Sequence, residues 1–287
     1  MNQSSHSAPA EPWFYRRPAL AIHISNMCRD TLFSRMAYFG EPRIGKSHFF
    51  LNELSPMLIQ DGMRPIYISM QGNAPHVELT KQLAIALDEL ENDGVHELSL
   101  HSDIIKQYKE NLFADMALES QPRAATSIEL SNIKLHLNSL VEVVGSSKIV
   151  LVLDDFQHLS TSSAFDNFIY ALRTQFDKYG SRITVIFIGS SRVQMQSLFE
   201  DNQAAFYQSA QVREFPTIDD GFVDYCFNRL KDDNVHINKQ DLLEFWAEID
   251  LSPYWMVKLM HEMVENHRDF IQAIARIREE VRAGKGC

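Results

Sequence analysis

Met36-Ala37-Tyr38-Phe39-Gly40-Glu41-Pro42-Arg43-Ile44-Gly45-Lys46-Ser47 is the stretch on which the reading of this 287-residue chain turns. Four apolar residues form a short strand that stops at Gly40. Gly40 to Ser47 fits G-x-x-x-x-G-K-[ST], and a helix is expected from Lys46 to Gln60. Strand, glycine-framed loop and helix in that order are the context in which this pattern binds phosphate. The glycines let successive backbone N–H groups face one anion, and the helix start adds partial positive charge. Gly40, Glu41, Pro42, Arg43, Ile44, Gly45, Lys46, Ser47 and His48 are therefore the candidate nucleotide-binding residues. Lys46 would reach the β- and γ-phosphates, and the Ser47 hydroxyl would ligate Mg²⁺.

Outward from the loop, strand and helix patterns alternate, which predicts an α/β domain with a largely parallel sheet. Upstream, a helix is expected over Ala19–Thr31, with Pro18 in its first turn. Downstream, Arg64–Met70 is β-branched and aromatic enough for a strand, and Val77–Leu90 has helical spacing. Ile128–Val144 is a second amphipathic helix. Ile149–Leu153 and Ile183–Ile188 are continuous apolar runs, as expected of strands covered on both faces. Phe165 to Phe176 marks a helix between them, and Val212–Phe215 a short fifth strand. Residues 91–121 look helical but carry no interpretable motif. After Pro216 only helices are expected, near Asp219–Lys231, Lys239–Ile249, Pro253–Asn266 and Arg268–Arg282. Ser252 is the expected hydroxyl cap of the third, with Pro253 at its first position.

Ile149-Val150-Leu151-Val152-Leu153-Asp154-Asp155 is the second motif. A buried strand ending in a carboxylate sets that group at the edge where open α/β sheets bind ligands. Asp154 is the candidate metal carboxylate. Asp155 stands where a residue orienting the attacking water is expected, although aspartate is one methylene shorter than the usual glutamate. Slow hydrolysis follows. His158 reads as a turn histidine. Ile183–Ile188 runs into Gly189-Ser190-Ser191-Arg192, so Ser190 or Ser191 is a candidate γ-phosphate sensor and Arg192 a weaker phosphate contact.

Composition limits the alternatives. Lys and Arg total 27 against 38 Asp and Glu, a net charge of −11. From Thr217 onward nine basic residues face fourteen acidic ones. DNA is a conceivable partner but is not indicated by charge. Cys28, Cys226 and Cys287 are odd in number and widely spaced, which offers no disulfide framework or zinc site and suits a cytoplasmic setting. Cys28 and Cys226 read as core residues. No apolar run has membrane-spanning length, so no membrane partner is expected. Residues 1–12 read as a disordered tail without a signal-peptide core.

P-loop, acidic strand end, polar strand end and helical tail, in this order, resemble an AAA+ ATPase with its lid. The phrases Phe14-Tyr15-Arg16-Arg17-Pro18, YFGEPRIGKS, VLDDFQHL and GSSRVQMQSLFEDNQAAFYQSAQVREFPTIDDGFVDY are most similar to the archaeal-type ATPases of the STAND class, relatives of replication initiators. The resemblance implies a P-loop core over residues 13–216, with a mostly parallel five-stranded sheet flanked by helices, and an all-helical lid over 217–287. It implies ATP and Mg²⁺ as cofactors, Lys46 and Asp155 in catalysis, Ser190 as first sensor, Ser47 and Asp154 as metal ligands, and Phe14 to Arg17 near adenine. It implies a homo-oligomer or a protein partner. The chain departs from that pattern in three places. The catalytic acid is Asp155. Ala210 stands where a trans-acting arginine is common, leaving Arg173, Arg182 or Arg213 as substitutes. Tyr254 stands where the second sensor arginine is usual, with Lys258 one turn later. The leading expectation is a slow Mg-dependent ATPase acting as a conformational or assembly switch. The alternative is a nucleotide-dependent, non-hydrolysing adaptor acting with DNA or a transposition or replication partner. A small-molecule kinase is disfavoured, because the helical tail carries no arginine run.

Overall fold

A computed structural model of the chain describes residues 14–92, 121–219, 221–233, 235, 237–264 and 269–284. The expected tail over 1–12 and most of the uninterpreted stretch over 91–121 lie outside the described residues. By its contacts the chain divides into two units. One runs over Pro18–Glu41 and Lys46–Phe215. The other joins residues 14–17, Pro42–Gly45 and the chain from Pro216 onward.

The first unit is an α/β layer structure. Helix α1 spans Pro18–Arg29 and strand β1 Arg35–Phe39. Helices α2 (Lys46–Phe49) and α3 (Ser55–Gln60) follow, then strand β2 (Arg64–Ser69) and helices α4 (Pro75–Asn92) and α5 (Ser127–Val143). Strand β3 (Ile149–Asp154), helix α6 (Asp166–Lys178), strand β4 (Ile183–Gly189), helix α7 (Arg192–Phe199) and strand β5 (Val212–Glu214) complete it. The five strands lie in the order β2-β3-β4-β1-β5. Every pairing is parallel. All of β3 and β4 is buried, because helices cover both faces; this is why both read as unbroken apolar runs.

One expectation is corrected. Lys46–Gln60 is not a regular helix throughout: a π-helical turn over Phe50–Leu54 separates α2 from α3. Pro56 has no N–H, and its ring would strike the carbonyl four residues back in a regular helix. The wider turn relieves that clash. The Phe50 carbonyl is then satisfied by the backbone N–H and the hydroxyl of Ser55, the latter at 2.8 Å.

Helix α5 starts in a capping box. The Thr126 hydroxyl accepts from the Glu129 N–H at 3.3 Å, and the Glu129 carboxylate accepts from the Thr126 N–H at 2.8 Å. Arg123 grips the same carboxylate through two bonds, and His76 lies 3.5 Å from it. Arg123 first, then the N–H and hydroxyl of Thr126, then His76, lower the Glu129 pKa from 4.5 to about 2. A carboxyl depressed on folding stabilises the fold above its unfolded pKa and loses that contribution as pH falls toward the folded value. The melting temperature of Glu129→Gln is therefore expected to fall less steeply than wild type between pH 4.5 and about 2. Parallel slopes in the two thermal-melt series would contradict this pairing.

The second unit is helical. It holds α8 (Gly221–Asp232), α9 (Lys239–Glu248), α10 (Pro253–Val264) and α11 (Phe270–Gly284) around Trp246, Phe222, Phe245, Met256 and Ile277. Asn238 caps α9 by accepting from the Gln240 N–H at 3.1 Å.

Candidate functional site

In the α/β unit the site residues collect at the C-terminal ends of β1, β4 and β3, which are successive neighbours in the sheet. Gly40 leaves β1 with its N–H bonded to the Gly189 carbonyl at the end of β4, at 3.1 Å. Lys46, only 8% exposed, turns its ammonium back on the loop and donates to the carbonyls of Gly40 (2.5 Å) and Glu41 (2.8 Å). Burial lowers its pKa; Asp154, Asp155 and Glu41 act in the opposite direction. The Ser47 hydroxyl donates to Asp154 Oδ2 at 2.6 Å. His48 follows in α2, where its carbonyl accepts from the Asn52 side chain at 3.1 Å.

Asp154 is 4% exposed and accepts from three donors. Besides Ser47, the Tyr67 hydroxyl of β2 donates to Oδ2, and the Asp155 N–H donates to Oδ1 at 2.9 Å. Tyr67 was not singled out from sequence. It is the β2 residue paired with Val152, two positions short of the end of β3, and that register brings a tyrosine within reach of the strand-end carboxylate. Asp155 has a left-handed backbone, φ +54°, which is uncommon for a residue with a Cβ and tolerated best by Asn and Asp. Burial, and then the neighbouring Asp154, push its carboxyl pKa up.

Gln157 is the second residue that sequence reasoning missed. It sits two positions after Asp155 and is 9% exposed. Its Nε2 donates to Ser190 Oγ at 3.0 Å and to Asp155 Oδ1 at 3.3 Å, and its Oε1 accepts from the Ser190 N–H at 3.2 Å. Of the two candidate sensors, Ser190 joins this network, whereas the Ser191 hydroxyl caps α7, accepting from the Gln194 N–H at 3.4 Å. Arg192 lays its guanidinium over the Phe39 ring, 5.4 Å from the centroid. His158 lies in the 3-10 turn after the acidic pair, with its Nε2 2.8 Å from the Gly72 carbonyl.

The tip of the loop, Pro42–Gly45, packs within the helical unit. Gly45 has φ +82°, which requires glycine, and its carbonyl accepts from Arg17 at 3.1 Å. Arg43 also takes a left-handed backbone, φ +68°, and its guanidinium lies over the rings of Tyr254 (5.0 Å) and Trp255 (4.9 Å). Ser252 does not cap α10 as expected. Its hydroxyl donates to the Arg43 carbonyl at 3.3 Å instead, because a serine oxygen can donate as well as accept. Pro253 does open the helix. Lys258 is ion-paired with Glu280 of α11. Tyr15 donates to Asp219 at 2.9 Å and packs against Phe222 and Tyr225, while Arg16 lies over Phe14.

Two of the three arginines proposed to replace a residue at Ala210 are engaged locally. Arg182 binds the carbonyls of Val141, Gly145 and Ser147. Arg173 pairs with Asp177 and the Ala205 carbonyl. Arg213 is exposed on the edge strand β5 and bonds only within its own loop, to Gln211 at 3.1 and 3.2 Å, among the described residues. Cys28 and Cys226 are buried, and burial pushes both thiols up to about 12, which makes them unreactive. Among the described residues no helix is long and apolar enough to cross a membrane.

Against solved structures the chain is similar to the Walker-type ATPase of Pyrococcus abyssi, at 17% identity and a TM-score of 0.58 over 91% of this chain and 71% of that one. The chain has the AAA+ fold. The ORC2 protein of Aeropyrum pernix, solved as ADPNP–ADP complexes, aligns at 16% identity and a TM-score of 0.57 over 96% of this chain and 70% of that one. The ORC1 protein of the same organism, solved in complex with DNA, gives 14% and 0.52 over 93% and 66%. No family model and no curated protein sequence matches the chain. At these identities the likeness is one of fold, and the AAA+ fold accounts for the parallel sheet and the helical C-terminal region seen here.

Proposed function

We propose that the chain binds ATP with Mg²⁺ and hydrolyses it slowly, using the nucleotide state as a conformational or assembly switch. The observation that carries this reading is the convergence of Lys46, Ser47, Asp154, Asp155 and Ser190 at three adjacent strand ends. The nucleotide complexes of the ORC2 neighbour support the same ligand class.

The residues present fit both groups. Ser47 Oγ and Asp154 Oδ2, 2.6 Å apart, are hard oxygen donors of the kind Mg²⁺ takes, and they would hold it. When bound, the ion neutralises phosphate charge as the γ-phosphoryl group is transferred. Lys46 exchanges its two loop carbonyls for phosphate oxygens, a stronger, charge-assisted bond. Gly40, Glu41, Pro42, Arg43, Ile44 and Gly45 supply the loop, with His48 behind it. Asp155 orients water and takes its proton. The water oxygen bonds to the γ-phosphorus, the bond from that phosphorus to the β–γ bridging oxygen breaks, and ADP and phosphate leave. Ser190 reads the γ-phosphate. The functional division is a core over 13–216 and a lid over 217–287, in the cytoplasm.

Slow turnover follows from the short acid and from the arginines. Arg182 and Arg173 are held by local partners, so Arg213 is the residue left to reach a neighbouring copy. A supplied arginine is worth roughly 10³–10⁵ in such reactions. Single-turnover hydrolysis is expected to be far below ~1 s⁻¹ for dilute protein and to rise with protein concentration or a partner. A fast rate, independent of concentration and of added DNA, would show a self-sufficient ATPase and end the switch reading. The adaptor alternative is favoured by the same arginine evidence, and predicts binding with no hydrolysis at any concentration.

A further inference from the structure

We infer that Gln157 is a positioning residue that locks Asp155 to Ser190, so that the water-orienting acid and the γ-phosphate sensor are held as one unit. The inference rests on the ATPase reading above and assigns a role to a residue outside the P-loop and the acidic pair.

Both N–H bonds and the oxygen of the carboxamide are engaged. One nitrogen serves Ser190 Oγ at 3.0 Å and Asp155 Oδ1 at 3.3 Å, and a primary amide has two N–H bonds for the two acceptors. Its oxygen takes the Ser190 N–H at 3.2 Å. A backbone N–H can only donate, so this contact fixes which end of the amide is oxygen and leaves no flipped alternative. Ser190 Oγ accepts from Gln157, which leaves the hydroxyl proton to be donated elsewhere. A phosphate oxygen is the acceptor that the proposed function supplies.

Two further observations show a slot built for this side chain. A Cβ on Gly189 would lie 2.9 Å from Gln157 Oε1 and 2.6 Å from the Met195 side chain, so only glycine at the end of β4 lets the carboxamide lie there. Asp155 holds a left-handed backbone, φ +54°, between its own N–H bond to Asp154 Oδ1 and its carboxylate bond from Gln157. Strained backbone of this kind persists where the surroundings over-determine it. Aspartate is a methylene too short to reach far, so a fixed carboxylate matters more here than it would for glutamate. The bridge ties the end of β3 to the end of β4, and a shift of Ser190 on meeting γ-phosphate is passed to Asp155.

The test measures equilibrium affinity for a fluorescent ATP analogue and single-turnover hydrolysis of ATP for wild type, Gln157→Met, Gln157→Glu, Ser190→Ala and the Gln157→Met/Ser190→Ala double variant. Met keeps the length and loses all three bonds. Glu keeps the acceptor for the Ser190 N–H, loses the donor to Asp155, and serves where Met lowers the melting temperature. Small misplacement of a reacting group costs up to about 10²-fold. The expected result is a loss of roughly 10- to 100-fold in turnover for both Gln157 variants, affinity within about twofold of wild type, and a double variant no slower than its slower parent, since both changes break one link. Unchanged turnover in either folded variant, equal loss of affinity and turnover, or multiplying effects in the double variant would overturn the inference and leave the ATPase reading in place. A wild-type protein that binds ATP but never hydrolyses it would also overturn it. A wild-type protein that binds no nucleotide would overturn the ATPase reading itself, and this arm separates the two failures.

Discussion

Replacing Lys46 by alanine is expected to lower the affinity for Mg-ATP by at least ~30-fold, while the circular dichroism and melting of the protein stay close to wild type. Lys46 is 8% exposed, and its ammonium is held by the carbonyls of Gly40 and Glu41. Removing one partner of a desolvated, hydrogen-bonded charge pair costs about 2–5 kcal/mol, which spans ~30-fold to several thousandfold in affinity. Part of that cost is the phosphate charge left facing a dry site. The fold is expected to survive because the ammonium bonds loop carbonyls rather than strand or helix partners, and the second of them belongs to Glu41, which is exposed. Equilibrium titration with a fluorescent ATP analogue checks this. A folded Lys46→Ala protein with wild-type affinity would remove Lys46 from the phosphate site.

Asp154→Asn and Asp155→Asn are expected to fail in different ways. Asp154 gathers the Ser47 and Tyr67 hydroxyls on one oxygen and the Asp155 N–H on the other. An amide there loses the charge that attracts Mg²⁺ and turns a donor toward donors, so affinity should lose its Mg²⁺ dependence, by about tenfold or more. Among the described residues the Asp155 carboxylate accepts its side-chain hydrogen bond from Gln157, at 3.3 Å, and not from the loop or from Ser47. Asparagine there should bind Mg-ATP within about twofold of wild type and hydrolyse it ~10²–10⁴ times more slowly, the usual worth of a general base. Affinity measured with Mg²⁺ and with EDTA, beside single-turnover rates, separates the two. Equal loss of binding in both variants would merge the two roles.

The sheet was legible because β3 and β4 are buried on both faces, and such strands announce themselves as unbroken aliphatic runs. The loop was legible because phosphate binding by backbone N–H groups demands glycine at fixed positions, and Gly45 at φ +82° meets that demand. The π-helical turn at Phe50–Leu54 was readable in principle from Pro56, since a proline inside a helical pattern must displace a carbonyl. Three features were not legible. Tyr67 reaches Asp154 through the register of β2 on β3, and register is a tertiary fact. Gln157 finds Ser190 only because the fold sets the ends of β3 and β4 side by side. Ser252 met the rules for a helix cap, yet its hydroxyl serves a carbonyl more than two hundred positions earlier in the chain. Local rules describe what a side chain can do, and the fold selects among the partners on offer.

The most direct measurement is an equilibrium titration of wild-type protein with a fluorescent ATP analogue, run with Mg²⁺ and with EDTA. Saturable one-site binding in the ~1 µM to ~1 mM range typical of enzyme substrates, weakened when Mg²⁺ is removed and displaced by unlabelled ATP, is the expected result. No saturable binding up to millimolar nucleotide, in protein shown to be folded, would contradict the assignment of Gly40 to Ser47 and Asp154 as a nucleotide site.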